Sequence, residues 1–143
     1  MGDEEEPTPR APCLADLGII ALDDLIELES TLFVKQGTFY DVLVSEGEWE
    51  VFLRVYSSAS DCLRVLELRV RRCGERAGEL LKMIEWPEVS KATIEGDCVE
   101  LVIPSDPPSR ILNALGKLGL REVKPIAYRD VEPLTSEEGV LGG

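Results

Sequence analysis

Between residues 48 and 129 the apolar pattern switches between a period of two and a period of three to four, with turn or cap residues at nearly every switch. Period decides which face of an element is apolar, so this succession constrains the fold more than any single motif. Trp49, Val51, Leu53 and Val55 alternate with Glu50, Phe52, Arg54 and Tyr56, as in a half-buried strand. Leu63, Leu66, Val70, Cys73, Ala77, Leu80 and Ile84 then step by threes and fours, which predicts a helix over about 60–85, bent near Gly74. Ser58, Ser60 and Asp61 offer N-caps, while Gly74 and Gly78 each weaken a helix by roughly 1 kcal/mol. Leu66, Leu68 and Val70 also alternate, and Val65 and Leu68 sit off the helical stripe, so a strand is the other reading of 60–73.

The second half has sharper punctuation. Residues 91–95 and 98–103 flank Gly96-Asp97 as a hairpin, with Val99, Leu101 and Ile103 on one face. Asp106 caps a helix with Pro107 at its first position, Ile111, Leu112, Leu115 and Leu118 as its buried stripe, and Gly119 at its end. Residues 120–128 form the last strand, and Pro125, lacking an N–H, assigns it to a sheet edge. Ahead of this unit, Leu22, Leu25, Ile26, Glu29 and Leu32 predict a short helix near 20–33. A strand over 40–44 then turns at Glu46-Gly47 into the strand beginning at Trp49. The expected fold is α+β: a two-layer sandwich, ferredoxin-like βαββαβ over about 48–129, preceded by a short helix and an extra hairpin strand. That extra strand competes for an edge of the first strand, so a roadblock-like or longin-like sandwich is the alternative.

At 143 residues the chain is expected to form one domain over 14–130. Residues 1–13 read as a disordered acidic, proline-rich tail and 131–143 as a flexible C-terminal tail. No apolar run approaches the ~20 residues of a membrane span, and the acidic start is the reverse of a signal peptide, so a cytoplasmic location is expected. A net charge of −13 argues against nucleic acid as the main partner. Gln36 and Asn113 are the only side-chain amides; with abundant Glu and Arg, this points to a thermophile.

Histidine is absent, which removes the commonest general base and nitrogen metal ligand. No phosphate-binding glycine loop or nucleophile elbow occurs. Asp23, Asp24, Glu27 and Glu29 read as the solvated face of a helix. Cys13, Cys62, Cys73 and Cys98 contain no C-x-x-C pair, so buried free thiols are expected, with disulfides conceivable in a thermophile cytosol. No catalytic residue, metal ligand or cofactor is assigned. The loop 57–61 ahead of the expected helix is read as capping rather than anion binding. Arg64, Arg69, Arg71, Arg72 and Arg76, against Glu67 and Glu75, leave residues 64–76 with a net charge of +3 on an otherwise acidic chain. That island is the leading candidate for a partner-binding surface, an internal ion-pair network being the alternative.

The segment 91–118, KATIEGDCVELVIPSDPPSRILNALGKL, resembles the second half of the small dimerising subunit of the archaeal KEOPS tRNA-modification complex. There a hairpin with a glycine turn leads into a helix bearing Arg and Asn; Arg110 and Asn113 occupy comparable places, with spacing that differs by one. The resemblance implies a dimerising, non-catalytic subunit and adds Arg110 and Asn113 to the candidate contact residues. The same stretch also resembles the ferredoxin-like accessory tail of some ABC-transporter ATPases. The expected function is a non-catalytic interaction or adaptor subunit, self-associating or docking on a protein partner through a sheet edge or the Arg-bearing helix. The alternative is a regulatory module of the ACT type that senses a small ligand.

Overall fold

The alternation that opens at Trp49 is a strand, and it organises everything around it. The computed structural model describes residues 11–58 and 62–131. In chain order these form α1 (Leu14–Leu17), α2 (Leu22–Leu32), β1 (Phe39–Glu46), β2 (Glu50–Ser57), β3 (Leu63–Cys73), a 3₁₀ segment (Ala77–Glu85), β4 (Lys91–Glu95), β5 (Cys98–Pro104), α3 (Ser109–Lys117) and β6 (Ala127–Val131). The protein is α+β, with one six-stranded sheet in the order β4-β5-β3-β2-β1-β6. Every strand pair in it is antiparallel.

The helix expected over 60–85 is the main correction. Residues Leu63–Cys73 are a long central strand, and only Ala77–Glu85 is helical, as 3₁₀ turns. Its apolar set is Leu63, Val65, Leu68 and Val70, each 1% exposed or less. These keep a period of two on both sides of a β-bulge: Arg54 pairs with Glu67 and Val55 with Val65, so Leu66 is the extra residue. One inserted residue moved the later apolar side chains by one place and made a strand imitate a helical stripe. Without a crossover helix, β2 and β3 run antiparallel, and β2 lies between β1 and β3. The ferredoxin-like arrangement, which flanks that first strand with the third and last strands of its unit, is not the one observed. Among the described residues, the long helix that a roadblock or longin order places after the hairpin is missing too, its place being taken by β3.

Both hairpins form, but the first turns over residues 47–49 rather than at Glu46-Gly47: β1 pairs with β2 from Phe39↔Tyr56 to Glu46↔Glu50, and Gly47 has no positive φ. β4 pairs with β5 around Gly96, whose φ of 60° suits the absence of a Cβ. The last strand begins later than expected, at Ala127, beyond Pro125. It closes the β1 edge, pairing Leu43↔Ala127 to Phe39↔Val131. The stretch before it is held by Val123, whose N–H donates to the Ile19 carbonyl at 2.8 Å.

A single core joins one sheet face to the helical layer. Leu25, Leu28 and Leu32 of α2, Leu80 of the 3₁₀ segment, and Ile111, Ala114 and Leu115 of α3 pack with Tyr40, Val42, Leu53, Val70 and Leu101 of the sheet. Asp23 and Asp24 in the first turn of α2 complement its dipole. Of the expected N-terminal tail, residues 1–10 lie outside the described residues, while Ala11–Cys13 are held against β3. The Val65 N–H donates to the Pro12 carbonyl at 2.8 Å, and Ala11 is buried. The expected C-terminal tail lies outside the described residues beyond Val131, which belongs to β6.

The cysteines are a second correction. No free thiol remains: Cys13 is bonded to Cys62 and Cys73 to Cys98. Cys73 and Cys98 are register partners of β3 and β5, an adjacency that a helical reading of 60–85 hides.

Candidate functional site

The helices pack on one sheet face, and among the described residues no helix covers the other. The side chains that alternate with the core point to this open face: Phe39, Asp41 and Leu43 from β1; Phe52, Arg54 and Tyr56 from β2; Glu67, Arg69 and Arg71 from β3; Glu100 and Val102 from β5. Register places opposite charges side by side. Asp41 stands between Arg54 and Arg129, and Arg54 between Asp41 and Glu67.

The result is a continuous ladder across five strands. Arg54 donates to both oxygens of Asp41, Nε to Oδ1 at 2.8 Å and Nη2 to Oδ2 at 2.9 Å, while Arg129 reaches Oδ2 at 3.4 Å. Asp41 is only 2% exposed, so this fork compensates for the loss of water around a buried carboxylate. Glu67 lies 3.8 Å from Arg54 Nη1 and also accepts from Arg69. Arg69 in turn forks onto Glu100, at 3.0 and 3.3 Å. Burial opposes the Arg69 charge, but the hydrogen bonds and charge of Glu100, then the charge of Glu67, outweigh it and raise its pKa. Aromatic rings fill the spaces between charges: Phe39 and Tyr56 lie 4.8 Å apart, and the Arg129 guanidinium stands 5.6 Å over Phe52.

Four of the five arginines of the basic island are thus dealt to two sides of β3. Arg64, Arg69 and Arg71 lie on the open face, where Arg64 donates to the Ala11 carbonyl at 2.8 Å. Arg72 alternates to the helical side; its guanidinium lies 5.3 Å over the Trp49 ring and 3.2 Å from Glu79. Arg76 follows the strand and hydrogen-bonds Glu79, holding that carboxyl below the usual carboxylate value. Arg69, Arg71, Arg72 and Arg76 all have carboxylate partners, which is the ion-pair network the sequence left as the alternative.

Arg110 and Asn113 belong to α3, in the helical layer, and are not brought together with the island. Beside them Lys117 donates to Glu88 at 2.9 Å and stands 4.9 Å from the Trp86 ring centre. That hydrogen bond holds the Glu88 carboxyl below the usual value. An open cleft of about 380 Å³ lies between α2 and the start of β6, with Asp24, Glu27 and Lys124 as its charged walls and Tyr128 also in its lining. The Cys73 and Cys98 sulfurs and the Asp97 carboxylate lie within 4.8 Å of one another, yet the sulfurs are bonded to each other and offer no thiolate to a metal. Ser57-Ser58 are described and residues 59–61 are not, so the expected capping loop lies largely outside the described residues.

Sequence reasoning missed Asp41, Arg54, Glu100 and Arg129 as members of one site. Their signal was a charge at the second position of each strand alternation, legible only once strand order is known. Comparisons with family models, with curated proteins and with solved structures each give no match.

Proposed function

We propose that the chain is a non-catalytic interaction subunit that self-associates through the open, arginine-bearing face of its sheet. The observation that carries this is the ladder Arg129–Asp41–Arg54–Glu67–Arg69–Glu100, with half-buried Phe39, Phe52 and Tyr56 between its charges. A row of alternating sign is complementary to its own copy turned end for end, and the apolar rings supply the area that stabilises contact. On a chain of net charge −13 this face is close to neutral, so a second copy meets least repulsion there. Five strands at about 4.8 Å spacing give a face on the order of 600 Å², at the lower end of what one partner contributes to a specific interface.

The sheet edges are the weaker candidates. The outer strands carry Lys91 and Glu95 at one side, Arg129 and Asp130 at the other, charges that discourage edge-to-edge pairing. The island's charge is neutralised internally, which leaves little for phosphates and supports a protein partner over nucleic acid. The cytoplasm of a thermophile, archaeal by the resemblance of 91–118, is the setting proposed; disulfides persist in such cytosols. No helix among the described residues is long and apolar enough to cross a membrane.

Light scattering tests the reading. Wild-type chain is expected to elute as a dimer at tens of micromolar, and Phe52→Glu, which buries a charge in the face, as a monomer with an unchanged far-UV spectrum. Wild type that stays monomeric refutes it. The cleft between α2 and β6 favours a second reading, a sensor for a small zwitterion held by Lys124 and the carboxylates of α2. A rise in melting temperature with amino acids, from a monomeric wild type, would select that reading instead.

A further inference from the structure

The two disulfides occupy opposite environments. Cys62 is buried, and the Cys13–Cys62 bond ties the segment before α1 to the start of β3. Cys73 is exposed at the far end of β3, while its partner Cys98 is half-buried at the start of β5. Around Cys98 the charge is arranged: Arg71 Nη2 lies 3.6 Å from its sulfur, with Asp97 Oδ1 at 3.7 Å on the same atom. Beside Cys73 opens a cleft of about 270 Å³, walled by Trp49, by Glu46, Glu48 and Glu50, and by Arg71 and Arg72.

We propose that Cys73–Cys98 is a thiol–disulfide exchange site for low-molecular-mass thiols, with Cys73 as the attacked sulfur and Cys98 as the leaving group. A thiolate entering the cleft meets the exposed Cys73 Sγ. As the new sulfur–sulfur bond to Cys73 forms, the Cys73–Cys98 bond breaks, and its electron pair passes to Cys98 Sγ. The Arg71 guanidinium at 3.6 Å offsets the repulsion of the Asp97 carboxylate at 3.7 Å on that thiolate, which then takes a proton from water. A second thiol attacks its predecessor on Cys73 and releases the small disulfide, so two thiols are oxidised while the protein bond is reduced to two thiols. Direction of attack follows from exposure: the accessible Cys73 sulfur is struck, and the half-buried Cys98 sulfur, flanked by Arg71 and Asp97, departs.

The fold keeps the dithiol poised for the reverse reaction. β3 and β5 remain paired from Glu67↔Pro104 to Arg72↔Val99, and the Gly74 N–H donates to the Asp97 carbonyl at 2.9 Å. Reduction therefore leaves Cys73 and Cys98 opposite each other on a hydrogen-bonded ladder. The cleft opens beside the β1–β2 turn, and its Arg71 also stands on the open face of the sheet.

The test is partial reduction of the full oxidised chain with glutathione or dithiothreitol, followed by alkylation and peptide mass spectrometry. Cys73 and Cys98 are expected to label together well before Cys13 and Cys62, and glutathione to be found on Cys73 rather than Cys98. Arg71→Met is expected to slow this reduction roughly threefold while the rate at Cys13–Cys62 is unchanged. A second comparison is independent of Arg71 substitution: Cys98 in Cys73→Ser should alkylate faster at neutral pH than Cys73 in Cys98→Ser, despite its lower exposure. Equal reduction of the two disulfides, or glutathione on Cys98, would overturn the proposal.

Discussion

Asp41 shows how much one buried charge depends on its neighbours. It has almost no contact with water, and three guanidinium nitrogens of Arg54 and Arg129 take the place of that water. Asp41→Ala leaves the partly buried Arg54 with only the longer 3.8 Å contact to Glu67 and should cost about 2–3 kcal/mol, read as a lower denaturant midpoint with unchanged slope. A cost below about 0.5 kcal/mol would mean that the ladder is no more than a set of surface ion pairs. Glu88 makes the corresponding prediction in pH. Its folded pKa lies below the unfolded value, because Lys117 hydrogen-bonds the ionised form. The stability it contributes is therefore complete above the ordinary carboxylate pKa and is lost as pH falls through the lower, folded value. Lys117→Met should remove that part of the acid sensitivity, so unfolding curves of variant and wild type converge as the pH drops below about 4.

At the scale of elements, β3 separates what the sequence reveals from what it hides. The two hairpins and the presence of α2 and α3 were legible because Gly96 and local apolar spacing act within a few residues. Yet α3 starts at Ser109 with Pro108 as its N-cap rather than under Asp106, and Leu22, Ile26 and Leu112 of the expected stripes are exposed. β3 was not legible, since the bulge at Leu66 shifts the inward set by one and mixes the two periods. Val65 and Leu68, which a helical stripe excludes, are among the most buried side chains of the molecule. Leu68→Ala should accordingly cost about 2–4 kcal/mol and Leu66→Ala, at the half-buried bulge, clearly less. The opposite ranking by chemical denaturation would restore the helix. The open-face ladder shares this limit: each charge is local, but their adjacency is a property of strand order. Disulfide pairing was hidden for the same reason. Cys13 and Cys62 are 49 residues apart and meet only because the segment before α1 pairs antiparallel beside the start of β3. Opening that loop with Cys13→Ser and Cys62→Ser should cost about 4 kcal/mol, measured as the difference in unfolding free energy under oxidising conditions.

For the whole molecule, what matters is that one layer of helices serves a six-stranded sheet. The helical side takes the apolar alternation of each strand, and the open side takes the charges, arginines and aromatic rings. Such a face is stable alone because its charges are mutually satisfied, and it is ready for a copy because their signs alternate. The account stands or falls on whether that face, rather than an edge strand, is covered in solution. The most direct measurement is the light-scattering mass of the 15.8 kDa wild-type chain beside two variants, Phe52→Glu on the open face and Ile94→Lys on the exposed edge strand β4. The account predicts twice the chain mass for wild type and Ile94→Lys, and the single-chain mass for Phe52→Glu. A dimer that survives Phe52→Glu but dissociates in Ile94→Lys would contradict it.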